Sequence, residues 1–164
     1  MTWWTWLIVG FLLNWLLPFY VSWAYATAGY LRGDLVHTGR YGPFVKFRLA
    51  YKMSPFHARL WRDWGGVGLF LVMIYRDEVG PEDSAEVART VVHEGTHCWQ
   101  WLWLGALFYV TYLGHMAFIL IFRKDKHPYL DCWAERMARR RAGQLVDVPK
   151  EQWPDGPTDR WPWW

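Results

Sequence analysis

Residues 93–97 read His-Glu-Gly-Thr-His. On an α-helix, residues four apart lie on one face, so His93 and His97 would aim two imidazoles at one point. Two such nitrogens supply half of a tetrahedral Zn²⁺ site, and a glutamate after the first histidine falls beside the metal's open position. Glu94 would there take a proton from a metal-bound water and later deliver it to a leaving group. Two satisfied surface histidines on a helix give the same pattern by accident. The motif therefore needs a third ligand from elsewhere in the chain.

Asp131 and Glu135 are also four apart, and a helix running through both would put them on one face. One carboxylate would then bind the metal while the other orients a ligand. On spacing alone, either Asp131 or Glu135 could be the third ligand. The competing explanation is simple pairing with Arg136 or Arg139 on an exposed face. Residues 98–103 contain no Gly-x-x-His that would bring a third histidine. Gln100, three residues after His97, shares the ligand face and is placed to orient it. His127 and Tyr129 precede the acids and are candidate donors to a developing oxyanion. His115 sits in an apolar stretch and reads as an interior polar group, while His37 and His57 fall in basic loop segments and read as surface residues. Cys98 and Cys132 read first as buried free thiols. A disulfide between the two site segments, or Cys132 as a soft metal ligand, is the alternative.

Several elements must position these residues. Residues 1–31 contain no charged side chain, and the run from Trp3 to Tyr25 is long enough to span a bilayer. It lacks the basic start of a cleavable signal, and Asn14 and Pro18 would strain a spanning helix without breaking the reading. The soluble alternative is a hydrophobic helix docked on the rest of the fold. Basic residues beginning at Arg32 would place the segment after the first helix on the cytoplasmic side. Residues 33–80 read as loops and short strands, with a Gly-rich, then apolar run ending at Tyr75 as a buried strand. Pro81-Glu82-Asp83-Ser84 is a helix-start signal for a helix carrying the HExxH motif.

Residues 99–122 form a second uncharged stretch. One straight helix would carry the chain about 36 Å from His97 and strand the acids across the membrane. A hairpin turning at Gly105 or Gly114, either dipping into the bilayer or covering the core, returns the chain to the site. A last helix containing the acids ends in Arg139-Arg140-Arg141 before Gly143, and residues 146–164 form a Pro/Trp-rich irregular tail. The expected fold is α+β and mostly helical: an N-terminal hydrophobic helix over 1–31, a catalytic domain over 32–145, and the tail.

The stretch from Gly65 to Gly105, with His93-Glu94-x-x-His97-x-x-Gln100 and a following Leu-Gly, resembles compact bacterial and phage HExxH metallopeptidases. The metallopeptidase domain of extracellular contractile injection systems is one of these. The resemblance implies a minimal zincin-like fold of gluzincin type, with zinc as cofactor and an acidic third ligand on a later helix. His127-Pro128-Tyr129-Leu130-Asp131-Cys132-Trp133-Ala134 is similar to the family's third-ligand segment, with Leu130 and Cys132 where glutamates are common. A related pattern, Glu-x-x-Ala-Asn/Asp-x-Phe-Ala, aligns Asp131 with the ligand and Glu135 with a supporting position, so the resemblance implies Asp131 as the preferred third ligand and Glu135 as the alternative.

Aromatic residues make up 20% of the chain, with fifteen tryptophans, more than a small core requires. Such density suits a membrane interface, a carbohydrate-binding surface or a large partner surface. The net charge of +3 is too small to argue for nucleic acid by itself, and no nucleic-acid partner is expected; basic residues crowd the segment from Arg32 to Arg62, which fits anionic headgroups. The expectation is a zinc peptidase acting on a peptide or protein substrate at a membrane or envelope, with membrane contact through 3–25 and 99–122. The alternatives are a non-catalytic phage or secretion-system component, with an assembly partner and a place in a virion, and a small membrane protein in which HEGTH is coincidental.

Overall fold

The computed structural model describes residues 2–50, 54–60, 65–76 and 84–147. Residues 81–83 of the helix-start signal, the His57 side chain and the tail from 148 lie outside the described residues. The fold is α+β and mostly helical, with one small mixed sheet.

Helix α1 (Trp3–Leu31) is apolar on every side, and its first half is largely exposed. Its second half packs on the sheet through Ser22, Ala26 and Gly29. Gly29 is required there, because a Cβ would lie 2.7 Å from Leu35 Cδ1. The helix stops where Gly33 takes a φ of +74°, and Asp34 N–H donates to Gly29 O at 2.9 Å, a closure that favours glycine.

Strands β1 (Leu35–Tyr41) and β2 (Phe44–Leu49) form a hairpin through Gly42. After the short helix α2 (Pro55–Leu60), β3 (Gly66–Leu69) and β4 (Val72–Tyr75) form a second hairpin. The order is β1-β2-β4-β3, with β4 parallel to β2, so β1 and β3 are the two edge strands among the described residues. The sequence reads 64–75 as leading into one buried strand. The structure instead turns it back at Phe70, which accepts a φ of +54° while its ring is buried against Phe19. Side-chain alternation makes the sheet two-faced. Val45, Phe47, Leu49, Val72 and Ile74 meet Ala26 of α1, whereas Phe44, Met73 and Tyr75 meet Val87, Val91 and Cys98 beyond the other face.

Those last residues belong to helix α3 (Ala85–Leu104), whose Ser84 cap accepts the Val87 N–H at 3.2 Å. Gly105 ends α3, and α4 (Leu107–Phe122) leaves it at 114°. The uncharged stretch is thus bent at Gly105, one of the two turning points expected. Residues 123–132 return to α5 (Trp133–Arg141), which ends in a glycine turn at Gly143 like that of α1.

Candidate metal centre

Helix α3 places His93, Glu94 and His97 under the sheet, and α5 brings Glu135 against them. His93 Nε2 and His97 Nε2 are 3.2 Å apart. Each is 3.2 Å from a Glu135 oxygen, His93 from Oε2 and His97 from Oε1. All are buried, with His93 9%, His97 7% and Glu135 2% exposed. Together they form a group able to hold a metal ion. Zinc bonds of about 2.0–2.2 Å set tetrahedral neighbours roughly 3.3–3.6 Å apart, close to the spacing found.

Hydrogen bonds behind the ligands aim them. His97 Nδ1 lies 2.8 Å from Gln100 Oε1, and Gln100 Nε2 donates to Ala134 O at 3.2 Å. That second bond fixes the amide, so Gln100 presents its oxygen and His97 must carry its proton on Nδ1. The Nε2 lone pair is then left facing the cluster. His93 Nδ1 lies 2.9 Å from Gln144 Oε1. Glu135 Oε1 accepts the Tyr112 hydroxyl at 2.8 Å, while Oε2 faces His93 without the alignment of a hydrogen bond. Lone pairs converging this closely in a buried site make a place where a metal cation could bind.

The electrostatics reflect that crowding. Burial opposes the Glu135 charge, yet the two imidazoles outweigh it and hold the carboxyl well below the usual carboxylate range. Burial likewise disfavours charged His97, but Glu135, and to a lesser degree Glu94 and Gln100, raise it to about 9. Burial raises the Glu94 carboxyl above its ordinary range, against the pull of His97 and His93. Glu94 lies under β3, against Gly66 and Gly68. A Cβ on Gly66 would sit 2.8 Å from Glu94 Oε1, and one on Gly68 would collide with the Glu94 carbonyl oxygen. Both glycines let the strand lie directly on the face of the helix that carries Glu94.

Asp131 is not part of this group. Its Oδ2 accepts the His127 N–H at 2.9 Å and its Oδ1 pairs with Arg136 at 3.1 Å. The shared face expected for Asp131 and Glu135 needs a helix through both, but α5 begins at Trp133. Asp131 therefore braces the loop before the helix, and Glu135 is the acid that joins the two histidines in the cluster. His127 Nδ1 accepts the Leu130 N–H at 3.1 Å, so that nitrogen serves its own loop. Tyr129 does reach the site. Part of its surface is exposed, but burial, helped by the charges of Glu135 and Glu94, pushes the phenol well above its ordinary range. It keeps its proton and can donate. Cys98 and Cys132 are buried free thiols directed at Val72 O and Tyr112 O respectively, so no disulfide joins the segments. His37 is exposed on β1, edge-on to Phe47. His115 Nδ1 accepts the Trp133 N–H at 3.1 Å and so caps α5 from α4.

No family model, curated protein or solved structure matches the chain. Function is therefore read from the geometry itself. Gln144, Tyr112 and the His115 cap escape a reading of the sequence, because each acts across elements distant in the chain. The one local signal was Gly143, whose glycine turn swings Gln144 back toward His93.

Proposed function

We propose that the chain is a zinc-dependent metallopeptidase acting at a membrane, with His93, His97 and Glu135 as ligands. The observation that carries this reading is the convergence of those three side chains beside Glu94 under a sheet edge. Two imidazoles and a carboxylate with a fourth position open form a donor set of catalytic zinc sites. Zinc held there would supply Lewis-acid polarisation and a water of lowered pKa. Glu94 accepts the proton of the attacking water, and its raised proton affinity suits later transfer to the leaving amine. Tyr129 donates its phenolic proton in a hydrogen bond to the oxygen that gains charge.

A peptide substrate fits β3. Arg76 N–H donates to Gly65 O at 3.0 Å, so strand alternation turns the main-chain groups of Gly66 and Gly68 outward. An extended peptide adding beside β3 would pass over Glu94. The basic run from Arg32 favours a cytoplasmic position for the domain.

The test is metal content and peptide cleavage on the full chain purified in detergent. One zinc per chain is expected, retained in Asp131→Asn and Glu94→Gln and lost in Glu135→Ala. Glu94→Gln should lower cleavage by about 10²–10⁴-fold. A wild-type chain without stoichiometric zinc, or zinc content unchanged by His93→Ala, overturns the metal reading. Retained zinc with no cleavage in a broad peptide screen favours a non-catalytic protein that keeps the site.

A further inference from the structure

The bend between α3 and α4 releases main-chain donors and acceptors that water can satisfy at a surface but hydrocarbon cannot. Helix α1 satisfies them. The Asn14 side chain donates to Leu104 O at 3.0 Å and accepts the Leu107 N–H at 3.1 Å. The Asn14 main-chain oxygen accepts the Ala106 N–H at 2.8 Å. That oxygen is available because the residue four places on, which would normally donate to it, is Pro18. The Trp15 indole N–H adds a bond to Leu102 O at 2.9 Å. Gly105 completes the fit, since a Cβ there would collide with the Asn14 amide. The two residues that look like flaws in a spanning helix are the ones that close the bend.

The outer surface of this elbow is apolar. Trp103, Leu107, Val110, Leu113, Phe118 and Phe122 are all exposed, Trp103 by 77%. Residues 99–122 carry no Asp, Glu, Lys or Arg, and cationic side chains resume at once with Arg123, Lys124 and Lys126. Helix α1 repeats the pattern, uncharged through Leu31 and followed by Arg32. We propose that α1 and the elbow form one unit embedded in a lipid bilayer, with residues 99–122 entering and leaving from the side that carries the sheet. Three observations favour lipid over a protein partner. The broken main chain is already satisfied from within, the apolar surface runs on from a helix long enough to span, and basic residues complementary to anionic headgroups flank both segments. His97 lies only about 12 Å along α3 from Gly105, which sets the metal cluster near the headgroup level. On the peptidase reading, and resting on it, the substrate would be a peptide segment next to the membrane. The seating itself does not depend on that chemistry.

Single cysteines in the full chain test it: Glu86→Cys, Val110→Cys, Phe118→Cys and Lys124→Cys, all at exposed positions. The wild type serves as blank, because Cys98 and Cys132 are buried. In sealed vesicles of both orientations, a membrane-impermeant maleimide should label Glu86→Cys and Lys124→Cys in the same orientation. Val110→Cys and Phe118→Cys should stay unlabelled until detergent is added, and a bimane on either should be quenched by brominated lipid. Labelling of Glu86→Cys and Lys124→Cys in opposite orientations would establish a straight span and overturn the proposal. Labelling of Val110→Cys and Phe118→Cys in intact vesicles would place that face in water and overturn it equally. Protection without quenching would mean that protein, a second copy included, covers the face, which also overturns it.

Discussion

Gln100 uses both ends of its amide, holding His97 with the oxygen and the first turn of α5 with the nitrogen. Gln100→Leu removes the orienting acceptor and should weaken zinc binding by about 10–100-fold in a chelator competition, with the fold retained. Wild-type affinity in that variant would show the contact to be incidental. Tyr112 stands behind the third ligand as Gln100 stands behind the second. Its hydroxyl bond to Glu135 is of the charge-assisted kind, worth about 1.5–3 kcal/mol, so Tyr112→Phe should also lower zinc affinity, by roughly 10-fold or more. An unchanged value would mean the metal alone fixes that carboxylate. At this scale the sequence was legible where chemistry is local. His93, Glu94, His97 and Gln100 lie within three turns of one helix, and helical geometry fixes their shared face. The acid was less legible, because choosing between Asp131 and Glu135 depends on a start point that Pro128 did not mark.

Among the elements, β3 and α3 are matched through glycine. In Gly68→Ala the new methyl meets main chain, so the strand must lift from the helix, at a cost of about 1–3 kcal/mol. The melting temperature should fall clearly. In Gly66→Ala the methyl meets the end of the Glu94 side chain, which can move. That variant should lose turnover with a smaller loss of stability, and equal losses in the two would contradict the placement of β3. The start of α5 is capped from α4 by His115, and His115→Ala should cost about 0.5–2 kcal/mol in thermal unfolding, as lost caps do. No change would mean water replaces the imidazole. The sequence marks residues 65–68 as Gly-rich, but nothing local says that the surface those glycines approach is the helix carrying the histidines.

For the whole molecule, the sheet is held between α1 and α3, and the apolar outer surfaces of α1 and α4 remain exposed. If these surfaces meet lipid, the chain should sediment with membranes and resist extraction by high salt, which screens headgroup pairing without affecting apolar burial. Detergent should release it, and release by salt alone would contradict a membrane seat. Taken by itself, the sequence determined the histidine pair with its glutamate, the two uncharged stretches and the α+β composition, because helical period and local hydropathy depend on near neighbours. Only the tertiary structure decided that Glu135 and not Asp131 completes the cluster, that Gln144 and Tyr112 aim it, and that Asn14 and Pro18 close the elbow. Each of those depends on where a distant element begins or how it folds back, and a side chain can complete a site only once those long-range positions are set.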